Sequence, residues 1–285
     1  MRAEHEIPIG TRLYFGESAK LKREIEAKCS NIFYDNSYEE IVTPLFSYHQ
    51  HLSIDDDREI VRLNDEQNEP MSLRADITID AVRITQKRLG GKTEHKKWFY
   101  IQPVYRYPAR EQYQIGAEYI GHNKTDSVMN LASNMVEKLD IHPLLQVSNI
   151  AIPKIIASEL NISIDLFKRI EIEKLLALNV KWLTKLVYLE KVEQIDEIML
   201  DVPGAIQVEL QKLKELARSV NYENLVVAPL YYAKMRYYDD LFFRFIQNNV
   251  VLLRGGRYVT DGKTSVGFAL YTDEVVEVIM EEESK

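Results

Sequence analysis

The stretch Gln112-Tyr113-Gln114-Ile115-Gly116-Ala117-Glu118-Tyr119 alternates strictly between two kinds of residue. Because successive side chains of a β-strand point to opposite faces, this alternation predicts a strand. One face carries Gln112, Gln114, Gly116 and Glu118, and the other carries Tyr113, Ile115, Ala117 and Tyr119. Two polar side chains therefore flank a position that has no side chain.

This polar face has two interpretations. If it is exposed to solvent, the segment is an ordinary amphipathic strand. If it lines a cleft, Gly116 is the floor, Gln114 and Glu118 are the walls, and the site suits a small cationic group. Arg106 on the neighbouring strand would then supply an anion-binding fork. A carboxylate on one side and a guanidinium on the other match the ammonium and carboxylate groups of an amino acid.

The residues before this strand predict the elements around it. Lys97 to Tyr107 and Gln112 to Gly121 predict an antiparallel hairpin. Apolar residues at helical spacing predict a helix from about Ser18 to Asn31, and a strand follows from Glu39 to Phe46, where Pro44 ends the β-prone run. Asp76 is a plausible N-cap for a helix that ends at Gly90-Gly91.

The residues after the hairpin change in character. A helix is predicted from about Asp126 to Leu139 and a strand from Leu144 to Ser148. Pro153 to Val220 predicts an all-helical insertion of four or so short helices. β character returns in three stretches before a terminal helix: Leu225 to Val227, Asp240 to Leu253 and Thr264 to Leu270. Strands on both sides of the insertion predict one mainly antiparallel α+β domain over residues 1–285, with the insertion at about 153–220.

Composition excludes several classes of protein. The chain has 285 residues with 36 basic and 44 acidic side chains, a net charge of −8, which argues against nonspecific binding to nucleic acid. The single cysteine, Cys29, is predicted to be a core residue because it lies on the apolar side of the first helix. No signal peptide or membrane-spanning run is present, so we expect a cytoplasmic protein that does not bind membranes.

Six motifs follow one another in an order that resembles the catalytic core of histidyl-tRNA synthetase. They are Ser72 to Thr78, Tyr105 to Tyr107, Gln114 to Gly121, Tyr237-Tyr238, Gly255 to Tyr258 and Val266 to Ala269. The resemblance implies a class II synthetase-like antiparallel sheet flanked by helices. The helix from Ser18 and the strand ending at Pro44 resemble the first class II motif, which implies a homodimer.

The resemblance also implies roles for individual residues. Asp76, Thr78 and Gln114 would surround the α-ammonium group of histidine, and Arg106 would face its carboxylate. Glu118 and Tyr238 would lie near the imidazole.

The sequence differs from the synthetases mainly at positions that handle the nucleotide in that family. Glu274 stands where the family carries an ATP-binding arginine, and Ala233 stands where it carries a catalytic arginine. Arg236 takes the place of an aspartate, and the connector between Arg106 and Gln114 is short. We also expect no anticodon-binding domain, because the chain stops soon after the third motif. Since adenylate formation needs several fixed cations, these departures predict a protein without catalytic residues that does not bind tRNA.

The pocket keeps the residues that would bind an amino acid and lacks those that would bind phosphate. In this combination the chain resembles the regulatory subunits of ATP phosphoribosyltransferase. That resemblance implies a noncatalytic chain that assembles with a short catalytic subunit and carries the histidine feedback of the first step of histidine biosynthesis. Val259 departs from this family, which usually has an aspartate there. Two alternatives stay open: an active ligase that adenylates an amino acid for an acceptor other than tRNA, and a scaffold whose pocket is a relic.

Other polar groups have simpler interpretations. His49 and His51 lack a third ligand at a fitting spacing, so we expect surface histidines and no metal or cofactor. Asp55 to Asp57 is interpreted as a solvated acidic turn. Arg254 and Arg257 could bind phosphate in a backbone nest or close the sheet through a salt bridge.

Overall fold

The computed structural model describes residues 6–54, 56–233, 238–260 and 262–283. Its α-helices are, in chain order, α1 Gly16–Asp35, α2 Thr78–Ile84, α3 Thr125–Lys138, α4 Ala151–Glu159, α5 Asp165–Lys168, α6 Ile172–Leu176, α7 Lys181–Val187, α8 Ile195–Ile198, α9 Gly204–Arg218 and α10 Thr272–Glu283. Its strands are β1 Glu39–Glu40, β2 Phe46–Ser47, β3 Arg62–Asn64, β4 Pro70–Leu73, β5 Lys97–Arg106, β6 Arg110–Ile120, β7 Leu144–Asn149, β8 Leu225–Val227, β9 Tyr238–Gln247, β10 Val250–Thr260 and β11 Lys263–Tyr271.

Contacts between residues divide the chain into two compact units. The first runs to His122 and resumes at Thr260, and the second begins at Asn123 and ends at Val259. The prediction of one domain over residues 1–285 stays a prediction. Among the described residues, no helix is both long enough and apolar enough to cross a membrane.

The first unit is built on strands in the order β1-β5-β6-β11. β5 and β6 form the predicted antiparallel hairpin, in which Tyr100 lies opposite Gly116 and Trp98 lies opposite Glu118. β11 pairs antiparallel with β6, and β1 pairs parallel with β5. A separate small sheet has the order β2-β4-β3. The predicted α+β architecture with a mainly antiparallel sheet is confirmed in this unit.

Helix α1 confirms the predicted first helix and extends beyond it at both ends. It buries Ile25, Cys29 and Phe33, which recur every fourth residue on one face. The Phe33 ring stacks on that of Phe99 with centroids 4.8 Å apart. Burial raises the pKa of the Cys29 thiol to about 12, as expected for the predicted core residue.

The predicted strand from Glu39 to Phe46 is wrong in its middle, because only its two ends are strands. Between them, the backbone N–H and hydroxyl of Thr43 donate hydrogen bonds to Gln102 Oε1 at 3.0 and 3.1 Å. Gln102 Nε2 donates in return to the Thr43 carbonyl at 2.9 Å. Pro44 has no N–H to donate. A side chain has thus taken the place of a pairing strand, which β-propensity does not reveal.

The second unit has strands in the order β10-β9-β7-β8. The predicted helical segment is confirmed as α4 to α9. It begins at Ala151, ahead of Pro153, because proline is tolerated in the first turn of a helix. Helix α9 packs against β7 and buries Ile206, Leu210 and Leu213 along one face.

The predicted run of β structure from Asp240 to Leu253 is a hairpin of two strands, β9 and β10. The turn falls at Asn248 and Asn249, whose φ angles are 50° and 65°. Asparagine tolerates this left-handed region and favours two-residue hairpin turns. The pair Asn-Asn is therefore the turn signal that the sequence interpretation missed.

Candidate functional site

The polar face of β6 is buried in the first unit. Gln114 is 4% exposed and Glu118 is 1% exposed, so the interpretation as an ordinary solvent-exposed strand is wrong. Gly116 lies against Tyr100, and a Cβ at this glycine would overlap the Tyr100 ring. The space over Gly116, predicted to be the floor of a cleft, is thus filled by a fully buried aromatic ring. An aromatic ring over a cross-strand glycine is a known stabilising device in sheets.

The Tyr100 hydroxyl joins two of the predicted ligands. It lies 3.4 Å from Thr78 Oγ1 and donates to Glu118 Oε1 at 3.4 Å. On the other side of the Glu118 carboxylate, a Cβ at Gly267 would overlap it and would meet the Ala117 carbonyl at 2.6 Å. Gly267 therefore makes the room in which the Glu118 carboxylate lies. A buried carboxylate beside fixed hydroxyl groups can attract a cationic or N–H-rich ligand.

Gln114 continues this row of polar side chains along the hairpin. It lies opposite Gln102 in the register of β5 and β6. Its amide Nε2 donates to Gln112 Oε1 at 3.4 Å. Gln114 thus occupies the same face as Glu118, as the alternation of the strand predicts.

Asp76 lies in a segment fixed by a buried glutamine. Gln50 Oε1 accepts from the N–H groups of Ala75 and Asp76 at 2.7 and 2.8 Å, and its Nε2 donates to the Asp76 carbonyl at 3.0 Å. The prediction that Asp76 is the N-cap is wrong by one residue, since α2 begins at Thr78 and Ile77 takes the cap position. Asp76 Oδ1 still accepts a long hydrogen bond of 3.4 Å from the Ile79 N–H. Backbone and carboxylate of Asp76 are thereby held at the mouth of α2.

Arg106 forms an ion pair within the chain. Its Nη1 lies 3.0 Å from Glu59 Oε2, and its Nε donates to the Ala75 carbonyl at 3.4 Å. The guanidinium is therefore next to the segment that carries Asp76. A ligand carboxylate at Arg106 would have to share it with Glu59 or displace Glu59.

Tyr238 belongs to the second unit. Its ring packs edge to face on Phe242 with centroids 5.0 Å apart, within a cluster that includes Ala233. Ala233 itself is buried, so the position where the resemblance predicts a catalytic arginine is an apolar core position. Arg236 and Tyr237 lie outside the described residues.

The third-motif position carries an ion pair in place of a free cation. Arg12 Nη2 lies 3.4 Å from Glu274 Oε1 and 3.0 Å from Glu277 Oε2. The neighbouring Asp273 accepts hydrogen bonds from the Tyr14 hydroxyl and, at 2.7 Å, from the Tyr113 N–H. Burial raises the pKa of Glu274, and Arg12 offsets only part of this rise. A phosphate approaching these carboxylates would meet like charge.

The structure bears on the simpler interpretations given to the other polar groups of the sequence. Arg257 pairs with Asp240 at 2.8 Å, which favours the salt bridge over the phosphate nest for this arginine. Asp56 caps a short 3-10 turn and accepts from Arg58, whose hydrogen bonds lower the pKa of Asp56 to about 2. The rings of His49 and His51 are 6.4 Å apart. Within the described ranges, no cluster of His, Cys, Asp or Glu is arranged to hold a metal ion.

Sequence reasoning missed three residues at this site: Tyr100, Gln50 and Glu59. Tyr100 could have been found, because aligning the predicted hairpin places it opposite Gly116. Gln50 and Glu59 lie in short irregular segments, where no periodicity shows which way a side chain points.

Comparisons with known proteins match nearly the whole chain. Residues 10–275 match the family model described as histidyl-tRNA synthetase. A protein of Wolinella succinogenes, called ATP phosphoribosyltransferase regulatory subunit, is 43% identical over 97% of this chain and 96% of its own length. A protein of the same name from Helicobacter hepaticus is 43% identical over 98% of this chain and 100% of its own.

A solved structure supports the fold. It is described as an ATP phosphoribosyltransferase regulatory subunit/histidyl-tRNA synthetase from Bacillus halodurans, and it superposes with a TM-score of 0.84 at 21% identity. The match covers 97% of this chain and 84% of that one. The predicted class II synthetase-like fold is confirmed.

Proposed function

The chain belongs to the ATP phosphoribosyltransferase regulatory subunits within the histidyl-tRNA synthetase family, and from this membership we infer that it is the regulatory subunit of such a transferase. It therefore works in a complex with a catalytic partner and is not itself the transferase. We propose in addition that the partner is a short-form catalytic subunit and that this chain carries the response to histidine.

This proposal rests on a difference between two groups of residues in the first unit. The buried set of Thr78, Gln114 and Glu118 keeps polar groups suited to an amino acid. The third-motif position has a carboxylate, Glu274, that is paired with Arg12. Because stabilising a phosphoryl transition state requires fixed positive charge, the second group does not support adenylation.

The proposed ligand is histidine, bound at Asp76, Thr78, Arg106, Gln114, Glu118 and Tyr238. The carboxylates of Asp76 and Glu118 supply negative charge for the ammonium group and the imidazole N–H. Arg106 supplies the positive charge for the ligand carboxylate. Tyr100 contributes by holding its hydroxyl between Thr78 and Glu118.

Feedback then follows from linkage. Histidine inhibits the partner only if it binds one state of the complex more tightly than the other, by roughly 1–3 kcal/mol of coupling free energy. The same coupling requires that substrates of the catalytic subunit change the affinity for histidine by the same factor.

We also propose that the chain forms a homodimer within the complex. Several large apolar side chains that precede α1 or lie near the short strands after it are more than half exposed: Leu13, Phe15, Val42 and Phe46. Large exposed apolar patches are typical of interfaces, and these side chains are the candidates for one in this chain. The resemblance of this region to the first class II motif supports the same interpretation.

Co-expression with the short catalytic subunit tests the proposal. We expect the two chains to co-purify, the transferase rate to increase in the presence of this chain, and histidine to inhibit the complex. A transferase whose rate and histidine sensitivity are both unaffected by this chain would contradict it.

ATP–pyrophosphate exchange with histidine separates this function from the ligase alternative. We expect no exchange above a control without enzyme, because Glu274 stands in place of a cation. Clear exchange would establish adenylation instead. Histidine binding without any effect on the transferase would leave the pocket intact but remove its regulatory role.

A further inference from the structure

The second unit contains a cavity of about 450 Å³ that is remote in sequence from the predicted histidine ligands of the first unit. Most of the side chains that line this cavity are apolar. The helical segment contributes side chains such as Phe167, Leu175 and Leu186, and strand β8 contributes Val226. This size and this apolar lining are typical of sites for small organic molecules.

Among the described residues that line this cavity, Arg244 on β9 is the cation and Glu190 is the anion. Its Nη2 donates to Gln146 Oε1 at 2.9 Å. Its guanidinium carbon lies 3.9 Å from the centroid of the Tyr231 ring, and Tyr231 also lines the cavity. The guanidinium carbon lies over the ring in a cation–π contact, which stabilises the positive charge of Arg244 at the cavity wall.

The hydrogen-bonding capacity of Arg244 is not filled. Its Nε is buried and has no hydrogen-bond partner among the residues that the structure describes. A buried N–H without an acceptor is destabilising, and more so when the group is charged.

A second guanidinium lies opposite in the sheet. Arg254 on β10 is the register partner of Arg244 on β9. Like charges directly opposite each other in a sheet are destabilising. Burial lowers the pKa of Arg244, Tyr231 acts in the opposite direction, and Arg254 lowers the pKa again. A negative group bound beside Arg244 would relieve this repulsion.

The backbone at the cavity is also unusual. Ile170, another lining residue, has a φ of 56°. This conformation is rare for a β-branched residue, and here it ends helix α5, where the Glu171 N–H donates to the Leu166 carbonyl at 2.8 Å.

We propose that this cavity binds a small monocarboxylate with an apolar body, and that Arg244 holds the carboxylate. The hydrocarbon wall takes the apolar body, and the N–H groups of Arg244 meet the carboxylate oxygens. A single negative charge fits better than a phosphate dianion, because the lining offers mostly apolar surface to replace the ligand's hydration.

Calorimetry on the full-length chain with 3-phenylpropanoate as the probe tests the site, and 3-phenylpropanamide is the uncharged control ligand. We expect the carboxylate to bind roughly 10- to 100-fold more tightly than the amide, the effect of one charge-assisted contact. Arg244→Gln should reduce carboxylate affinity by a similar factor and leave amide affinity nearly unchanged. Arg218→Gln, which removes an exposed arginine of the same unit, should change neither.

A second variant tests the site even where Arg244→Gln does not fold. Leu175→Phe keeps Arg244 and fills part of the cavity, so both ligands should bind more weakly. Absence of carboxylate binding to the wild-type chain, or equal affinity for the carboxylate and the amide, overturns the proposal. Full retention of carboxylate binding in a folded Arg244→Gln variant overturns it as well.

Discussion

Two acidic groups in the first unit meet different neighbours. The buried Glu118 carboxylate lies between the Tyr100 hydroxyl and Gly267. Glu274 instead lies beside a guanidinium, that of Arg12, which also pairs with Glu277. The first carboxylate is a proposed ligand of histidine, and the second stands at the position where the resemblance predicts an ATP-binding arginine.

On the proposed function, this fold has lost a reaction and kept a ligand. Reversing the charge at one position and pairing it with Arg12 removes the stabilisation that a transferring phosphoryl group needs. Around Glu118 the hairpin is fixed by other contacts, the close packing of Tyr100, Gly116 and Gly267. Loss of catalysis therefore does not require loss of recognition.

The largest expected effect comes from filling the space around Glu118. In Gly267→Ala the new Cβ overlaps the Glu118 carboxylate and crowds the Ala117 carbonyl. We expect the free energy of unfolding to fall by about 2–3 kcal/mol, because overpacking of a rigid core displaces backbone. Urea unfolding followed by circular dichroism measures this change.

Gly204→Ala is the matched control for that substitution. Gly204 opens helix α9, and a Cβ there meets no atom within 4 Å. Alanine at this position should leave stability unchanged or raise it by about 0.4–1 kcal/mol. Equal stability of Gly267→Ala and the wild-type chain would show that Glu118 is not held as the structure places it.

Removing the charge of Glu118 should affect the ligand more than the fold. Glu118→Gln keeps the shape and the acceptor near Tyr100 but loses the negative charge. We expect histidine affinity to fall at least about tenfold, the effect of one charge-assisted hydrogen bond. Calorimetry with histidine gives the affinity, and Glu66→Gln, an exposed carboxamide substitution in the same unit, should bind histidine like the wild type. Unchanged affinity in Glu118→Gln removes this residue from the pocket.

Sequence patterns predicted the elements here because each has a local cause. The hairpin follows from the alternation around Gly116, and α1 follows from the spacing of Ile25 and Cys29. The family motifs supplied the predicted site residues, and burial of Gln114 and Glu118 agrees with a lined site. Whether histidine binds there stays a prediction.

Sequence patterns could not predict contacts between residues that are far apart in the chain. Gln102 binds the backbone of Thr43, which interrupts the predicted strand, and the two are separated by 59 residues. Arg12 reaches Glu274 across 262 residues. Such contacts depend on how elements pack, and no spacing along one element records them.

A smaller effect is expected at the tyrosine that links the predicted ligands. Tyr100→Phe removes the hydroxyl shared by Thr78 and Glu118 but keeps the ring over Gly116. Since both contacts are long, we expect losses of about 0.5–1 kcal/mol in stability and a several-fold loss in histidine affinity. Tyr107→Phe, at an exposed tyrosine, is the control. A Tyr100→Phe variant that binds histidine as tightly as the wild type would mean that the hydroxyl does not position Glu118.

The smallest effect concerns Glu274 and has a defined pH dependence. Burial raises its pKa in the folded chain above the usual 4.5, despite the attraction of Arg12. Between 4.5 and the folded-state pKa, the folded chain binds a proton that the unfolded chain has released, so stability falls as the pH rises through this window.

Glu274→Gln abolishes this dependence and leaves Arg12 paired with Glu277. We expect the variant to gain stability relative to the wild type at about pH 7 but not at about pH 4, by less than about 1 kcal/mol, because the site is only partly buried. Urea unfolding at both pH values measures the difference, and Glu281→Gln on the exposed end of α10 is the control. A gain in stability that is equal at both pH values, or larger in acid, would mean that burial does not raise the pKa of Glu274. The charge reversal at the third motif would then carry no cost in the folded chain, and only the loss of phosphate binding would distinguish this cluster from the one around Glu118.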